Sequence, residues 1–418
     1  MVINICVVGL GYVGLPTGAL LASKGMRVHG VDTNEVLIGR INSPSFSSFE
    51  PDLDALVRDV IKTGSLTASK SPTKAEVFVL AVPTPVKLDR SGADLEAIKL
   101  ACNTISKYLV PGNLIILEST VPVGTSQLVY DWLCESRPDL KSRDSDVHSD
   151  NSNRIYVAHC PERVLPGRLL HELVKNDRTV GGIDNESARR AGSFYEKFVD
   201  GDITYTNAPT AELSKLVENA YRDVNIAFAN ELSMICDDLG IDVWDCIKQA
   251  NKHPRVNILS PSSGVGGHCI AVDPWFIVSN SPKYTNLIRT AREVNDSKPN
   301  HVVKNIQIAV QNCNEPVLAC LGLSFKPNVD DLRGSPALQI VERLAVNHNL
   351  NLLVVEPHIK KLPLSLSNLK NIKLVSLEEA LTAANVVALL VNHDVFKKIR
   401  PNELMDKKII DTSGTLRY

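Results

Sequence analysis

The sequence predicts an α/β fold with two Rossmann-like parallel-sheet domains joined by a long central helix. Three observations predict it. Short β-branched runs alternate with helical patterns over residues 1 to about 205, and the alternation returns from about residue 315. Between them an apolar period of three to four residues runs from Pro209 to Leu239. Strand–helix alternation builds parallel sheets covered by helices, and the longer period marks a helix. The expected domains are residues 1–205, an α/β domain; 206–312, a central helical domain; and 313–418, a second α/β domain.

In the first domain the strands are expected at Ile3–Val8, Val28–Val31, Val77–Ala81, Leu114–Leu117 and Ile155–Ala158. Met1–Val8 lacks a basic start and runs into a glycine turn, so it reads as a strand and not as a targeting segment. Lys141–Asn153 is polar and reads as a surface loop. Pro209-Thr210 opens the long helix, whose Leu213, Leu216, Val217, Ala220, Tyr221 and Val224 form one apolar face, with Gly240 as C-cap. A helix of that length often packs against a second copy, so a homodimer is expected. In the last domain Val317–Leu321, Leu352–Val355, Val386–Val391 and Ile409–Ile410 read as strands, with a helix from Pro336 to about Val346.

The 418 residues carry 45 Lys+Arg against 47 Asp+Glu, a net charge of −2, which argues against a nucleic-acid binder. Charged residues are 22%, too few for a disordered chain. No apolar run reaches ~18 residues, so no membrane helix is expected. Nine scattered cysteines without a C-x-x-C pair read as reduced thiols of a cytoplasmic protein, with neither a disulfide framework nor a structural zinc site.

Four motifs carry chemistry. Gly9-Leu10-Gly11-Tyr12-Val13-Gly14 follows the first strand and opens a helix. Gly9 permits the turn, Gly11 lets a pyrophosphate approach the backbone, and Gly14 lets helix and strand pack. Asp32 ends the second strand, 18 residues beyond Gly14, where a carboxylate accepts both ribose hydroxyls and repels a 2′-phosphate; NAD is therefore expected over NADP. On the long helix Lys215, Asn219 and Arg222 share a face opposite Leu213, Val217 and Val224. Alone, such a triplet is ordinarily a solvated face. Its continuation as Ile226 and Asn230 is poor composition for open surface, and a Lys and an Asn there can aim N–H donors at one oxyanion.

The sharpest signal is Ser260-Pro261-Ser262-Ser263-Gly264-Val265-Gly266-Gly267-His268-Cys269 followed by Asp273-Pro274. Three glycines in four positions let a ligand approach, and a helix start at Cys269 would draw its thiol towards thiolate. Cys6, Cys160 and Cys320 lie in or beside strands and read as core residues. A zinc site using His268 and Cys269 lacks further ligands at suitable spacing. Finally, Cys160-Pro161-Glu162-Arg163-Val164-Leu165-Pro166-Gly167 follows a strand that ends at the ligand-binding edge of the sheet, where Glu162 is either a general base or an ion-pair partner.

Together GLGYVGLP, AVPTP, EST, CPERVLPG, TAELSKLVENAYRDVNIAFANEL, NKHPRVNI, GVGGHCIAVDP and SFKPNVDDLRGSPA resemble the nucleotide-sugar 6-dehydrogenase family over essentially the whole chain. CPERVLPG, HPRVN and GGHCIAVDPWF look most like its UDP-N-acetylmannosamine branch; the UDP-glucose branch tends to carry GGxCLPKD at the cysteine. The resemblance implies oxidation of a UDP-sugar at C6 by two NAD, supplying a surface polysaccharide, with Cys269 as the nucleophile that carries a thiohemiacetal and then a thioester. It implies that Lys215 and Asn219 stabilise oxyanions, that Asp273 and Thr120 hold a water, and that Glu162 assists hydrolysis. It places Tyr12, Val13, Asp32, Thr84, Thr125 and Arg333 on NAD. It places Arg163, Val164, Arg222, His253, Arg255, Gly266, Phe325 and Lys326, beside Lys215 and Asn219, on the UDP-sugar, with Arg255 reaching in from a second subunit.

Two departures stand out. Gly334 replaces a usual Glu, and Ser413 a frequent basic residue, which implies a weaker hold on the diphosphate if that residue helps to bind it. UDP-N-acetylglucosamine and UDP-glucose remain alternative substrates. A two-electron β-hydroxyacid-type dehydrogenase, which needs no catalytic thiol, and a NAD-binding protein with a dead site are the rival classes.

Overall fold

The computed structural model describes residues 2–48, 50–87, 89–141, 153–164, 167–311 and 313–416. The expected Lys141–Asn153 loop lies outside them except for its two end residues, as do Leu165 and Pro166 of the CPERVLPG segment. The chain forms two compact units, Met1–Val217 and Glu218–Tyr418, and the boundary falls within the long helix.

The first unit holds one eight-stranded sheet in the order β3-β2-β1-β4-β5-β6-β7-β8. The strands are β1 Asn4–Val8, β2 Arg27–Val31, β3 Leu66–Ser69, β4 Val77–Leu80, β5 Leu114–Leu117, β6 Tyr156–His159, β7 Arg178–Gly182 and β8 Ile203–Asn207. Strands β1, β4, β5 and β6 are buried almost throughout, which is why they read as continuous apolar runs. Ile5, Val7, Val79 and Ile116 face one core layer, and Cys6, Phe78, Leu80 and Ile115 the other.

The sheet is parallel, as expected of a Rossmann-like domain, except at one step. The ladder is parallel from β3 to β6, but β7 runs antiparallel to β6, pairing Ala158 with Gly182 and His159 with Gly181. The chain leaves β6 at its carboxyl end and re-enters the sheet from that same end. Strand β8 then pairs parallel with β7.

The second unit contains a five-stranded parallel sheet, β11-β10-β9-β12-β13. Its strands are β9 Val317–Leu321, β10 Asn351–Val355, β11 Ile372–Leu374, β12 Val386–Leu389 and β13 Lys408–Asp411. The helix Pro336–Ala345 starts where Ser335 accepts the Leu338 N–H at 3.2 Å and Pro336 fills a first-turn position. Helices Val243–Ala250, Asp273–Asn280 and Asn286–Val310 precede the sheet.

The long helix spans Ala208–Leu239, and Gly240 follows with φ +67°. Its apolar periodicity splits into two faces, correcting the single face expected. Leu216, Ala220 and Ala227 are buried, whereas Leu213, Val217, Tyr221, Phe228, Ile235 and Leu239 are exposed. Tyr221 is 71% exposed, far more than a core-facing aromatic ring. No helix among the described residues is long and apolar enough to cross a membrane.

Candidate active site

In the first unit the predicted residues follow the carboxyl ends of parallel strands, where open α/β sheets bind their ligands. The glycine turn follows β1, Asp32 follows β2, Thr84 follows β4, Thr120 follows β5, and Glu162 follows β6. Gly9 has φ +94°, and a Cβ there would lie 2.5 Å from the Ala81 carbonyl oxygen. A Cβ on Gly14 would meet the Gly9 oxygen. Gly11 faces open space, as a backbone approached by a pyrophosphate requires. Tyr12 is exposed and Val13 half-buried beside it.

The Asp32 carboxylate accepts the Leu10 N–H at 2.9 Å and the Asn34 N–H at 2.9 Å. The bond to Leu10 ties it to the glycine turn. One lone pair on each oxygen is left for ribose hydroxyls. Asp32→Ala is expected to raise KM for NAD⁺ by about tenfold to a hundredfold, the worth of hydrogen bonds to a charged group. It should also narrow the gap to NADP⁺. Steady-state kinetics with both dinucleotides checks this, and a wild type that already prefers NADP⁺ would refute the role of Asp32.

Thr84 donates its hydroxyl to the Thr120 carbonyl at 2.6 Å. Thr125 is buried and donates to the Pro122 carbonyl at 2.7 Å, opening the helix Thr125–Ser136. Glu212, near the start of the long helix, accepts from Gly124 N at 2.6 Å and from Ser126 N and Oγ at 2.7 Å each. That buried carboxylate anchors the turn that carries Lys215, which is half-buried.

Glu162 is buried and ion-paired with Arg178, a fully enclosed partner. The antiparallel register of β6 and β7, continued by three residues, puts Arg178 opposite Glu162. The other Glu162 oxygen accepts the Arg163 N–H at 2.7 Å. The Arg163 guanidinium reaches Thr179 Oγ1 at 3.3 Å, and Val164 packs on the core beside it. Behind Glu162 lies Glu118, which accepts the Tyr195 hydroxyl at 2.7 Å. Burial, reinforced by the Glu162 charge, pushes the Glu118 carboxyl up to about 7. Burial, reinforced by the Lys215 and Arg163 charges, pushes His159 down to about 3 and keeps it neutral.

In the second unit the glycine–cysteine loop packs on the segments that follow β9. A Cβ on Gly266 would lie 2.4 Å from the Gly334 oxygen and 2.5 Å from Pro336. Gly267, at φ +84°, abuts the Phe325 ring, and His268 meets that ring edge-on at 6.2 Å. Lys326 Nζ stands 5.6 Å from the Phe325 centroid. Arg333 is exposed and pairs with Asp331 at 2.6 Å. The loop thus packs Gly266 on Gly334 and Pro336, and Gly267 and His268 on Phe325, in the residues just before Cys269. Gly334 adopts φ +61°, a left-handed conformation that costs glycine little. Ser413 spends its amide and hydroxyl on Asp411, at 2.9 and 3.3 Å.

Among the nine cysteines, all free of disulfides, Cys269 is the one exposed. Burial pushes the Cys6, Cys102, Cys160 and Cys320 thiols up to about 12. The helix expected to start at Cys269 begins at Asp273, because Pro274 sets its first turn. Cys269 occupies the preceding turn, its carbonyl accepting from Val272 N at 3.0 Å and Asp273 N at 2.9 Å. The buried Asp273 carboxylate accepts from Asn219 Nδ2 at 2.6 Å, so the long helix and the cysteine turn are joined through two predicted residues.

Arg222, His253 and Arg255 are exposed. The last two sit on a loop that Asn251 closes, bonding Ile258 N at 2.7 Å and Ile258 O at 3.0 Å. Among the described residues the single grouping suited to a metal is Glu356, His358 and His393, which includes neither His268 nor Cys269. Its carboxylate already accepts from Leu323 N at 2.7 Å, Ser324 N at 3.1 Å and His358 N at 3.1 Å.

A phosphate-approachable glycine turn with its acidic partner, joined in one chain to an exposed thiol on a glycine loop, defines a dinucleotide-dependent oxidoreductase. The chain belongs to the UDP-glucose/GDP-mannose dehydrogenase family: it matches the NAD binding domain over residues 3–199, the central domain over 209–297 and the UDP binding domain over 319–417. It is an NAD-dependent UDP-sugar dehydrogenase. It is 52% identical to a UDP-N-acetyl-D-mannosamine dehydrogenase of Campylobacter jejuni, over 96% of this chain and 98% of that one. It is 51% identical to an NDP-N-acetyl-D-galactosaminuronic acid dehydrogenase of Ralstonia nicotianae, over 98% and 96%. Among solved structures, a UDP-N-acetyl-mannosamine dehydrogenase from S. aureus superposes with a TM-score of 0.86 at 39% identity, covering 99% of this chain and 96% of that one.

Sequence reasoning missed Arg178, which pairs with Glu162, and Glu118, which feels the Glu162 charge. Glu118 stood in view in the EST segment, two residues before Thr120.

Proposed function

We propose that this protein oxidises the C6 hydroxyl of UDP-N-acetyl-D-mannosamine to the carboxylate through an acyl group carried on Cys269. The observation that carries the reading is the join of Asn219 to Asp273 beside an exposed Cys269, which sets an oxyanion donor, a buried carboxylate and a nucleophile on neighbouring turns. The residues around Gly11 and Asp32 fit NAD, which supplies the hydride acceptor for both oxidations.

The chain's own groups do the rest. Asp273 and Thr120 hold the water that accepts the C6 hydroxyl proton as the aldehyde forms. The Cys269 thiolate adds to the aldehyde carbon, and the new oxygen is protonated to a thiohemiacetal. Loss of that proton and of the second hydride leaves a thioester. Water, assisted by Glu162, then displaces the thiolate and yields the uronate. Lys215 and Asn219 steady the negative oxygen of the tetrahedral states. Per sugar, two NAD⁺ and one water are consumed, and two NADH and three protons are released. Arg163, Val164, Arg222, His253, Arg255, Gly266, Phe325 and Lys326 bind the UDP-sugar, and Tyr12, Val13, Thr84, Thr125 and Arg333 bind NAD. The product feeds the assembly of a surface polysaccharide.

The exposed stripe of Leu213, Val217, Tyr221, Phe228, Ile235 and Leu239 recurs at helical spacing, and a second copy of the same helix covers it in a homodimer. In that dimer Arg255, exposed on its loop, reaches the UDP-sugar held by the second copy.

The Ralstonia relative favours a second reading, an N-acetylgalactosamine nucleotide, at nearly the same identity. Turnover on UDP-N-acetylmannosamine, UDP-N-acetylgalactosamine, UDP-N-acetylglucosamine and UDP-glucose decides between them. The highest kcat/KM is expected with the first, at two NADH per sugar. One NADH per sugar would refute the acyl mechanism, and a higher kcat/KM with another sugar would refute the substrate.

A further inference from the structure

Arg292 lies on the helix Asn286–Val310 and is completely buried. Its Nη1 donates to Asp223 on the long helix at 2.5 Å. Its Nη2 and Nε both reach Asp296 Oδ1, at 3.0 and 3.2 Å. The same two terminal nitrogens turn to backbone carbonyls: Nη2 to Val265 O at 3.4 Å, and Nη1 to Ile270 O at 3.5 Å. Those carbonyls bracket the four residues Gly266-Gly267-His268-Cys269. Asn295 Nδ2 donates to Asp223 Oδ1 at 2.8 Å, and Asn230 ties Asn295 at 2.8 Å to the Ser262 N–H at 2.8 Å, at the start of the loop.

Burying a guanidinium is costly and is offset only when its donors are met. Pairing Asp223 alone would need a single cationic donor. Reaching two carboxylates and two carbonyls at once needs the planar, five-donor fork of arginine. A segment with two adjacent glycines has little conformational preference of its own, so its shape must be imposed from outside.

We propose that Arg292 is a positioning residue for Cys269. Without touching substrate, it fixes both ends of the glycine turn and thereby places the thiol to capture the aldehyde. The inference rests on the reading that Cys269 carries the acyl group. With the turn loosened, the first oxidation still proceeds. The aldehyde then escapes before the thiol adds, after one NADH per sugar.

The test uses full-length enzyme with UDP-N-acetyl-D-mannosamine, NAD⁺ and hydroxylamine, reading NADH per sugar and the aldehyde oxime by its mass. Arg292→Lys keeps a cation against Asp223 but cannot span both carbonyls. It is expected to lower kcat by about tenfold to a hundredfold, as misplacement by about 1 Å does. KM for both substrates and the thermal midpoint should change little. NADH per sugar should fall towards one, with oxime appearing. Wild-type kcat, two NADH per sugar and no oxime in Arg292→Lys would overturn the proposal. Should that variant not fold, Asp296→Asn, which releases the same guanidinium from its more exposed side, decides by the same readouts. Absence of any acyl adduct on Cys269 in quenched wild type would instead remove the reading beneath it, and the proposal with it.

Discussion

Lys215→Ala is expected to keep binding UDP-sugar while losing turnover by about 10²–10³, the worth of one oxyanion donor at roughly 3–4 kcal/mol. Lys215 is half-buried on a helix turn anchored by Glu212, whose carboxylate holds Gly124 N, Ser126 N and Ser126 Oγ. That anchor survives truncation of the lysine, so the helix should stay in register. The Lys215 charge is also among those that depress the buried His159, which is neutral with or without it, so truncating the lysine strips that ring of no ionic partner. The loss should therefore fall on kcat, with the UDP-sugar dissociation constant from calorimetry nearly unchanged. A kcat close to wild type would return Lys215, and the stripe it begins, to a solvated helix face.

How much of this was legible in the sequence depended on whether the signal was local. Strands β5 and β9 were read to the residue, because strands buried on both faces are unbroken β-branched and aliphatic runs. Strands β3 and β11 escaped: each is an edge strand of three or four residues, one face of which need not be apolar. β7 was hidden by Gly181-Gly182, where a side chain on either residue would strike Asn207 or Ala188.

The long helix shows a different limit. Periodicity reveals an apolar face, but not whether the chain's own core covers it, and Leu216 and Tyr221 differ in burial without differing in pattern. The site follows the same division. The glycine turn, Asp32, Asn219 and the cysteine loop announce themselves by residue type and spacing. Arg292 and Asp223 are 69 residues apart, and Glu162 meets Arg178 only through an antiparallel register that no local pattern encodes.

Cys269→Ala is expected to abolish uronate formation and to stop at, or before, the aldehyde, with at most one NADH per sugar. A thiol is not needed to remove the first hydride; it is needed to hold the aldehyde carbon as a thiohemiacetal from which a second hydride can leave. Cys269→Ser offers a hydroxyl that forms at best an ester, a poorer acyl carrier, so it should release little uronate and build up a stalled covalent adduct within one turnover. The remaining thiols give the control. Cys160 and Cys236 are buried, and burial pushes both thiols up. Their replacement by Ala should cost stability, as losing a small apolar side chain does, and leave the NADH count at two. Intact-protein mass spectrometry of quenched wild type should find an adduct of UDP-sugar size, and peptide mapping should place it on Cys269. Two NADH per sugar from Cys269→Ala, or an adduct on any other cysteine, would sink the acyl mechanism and leave the exposed thiol as a feature of the loop's shape alone.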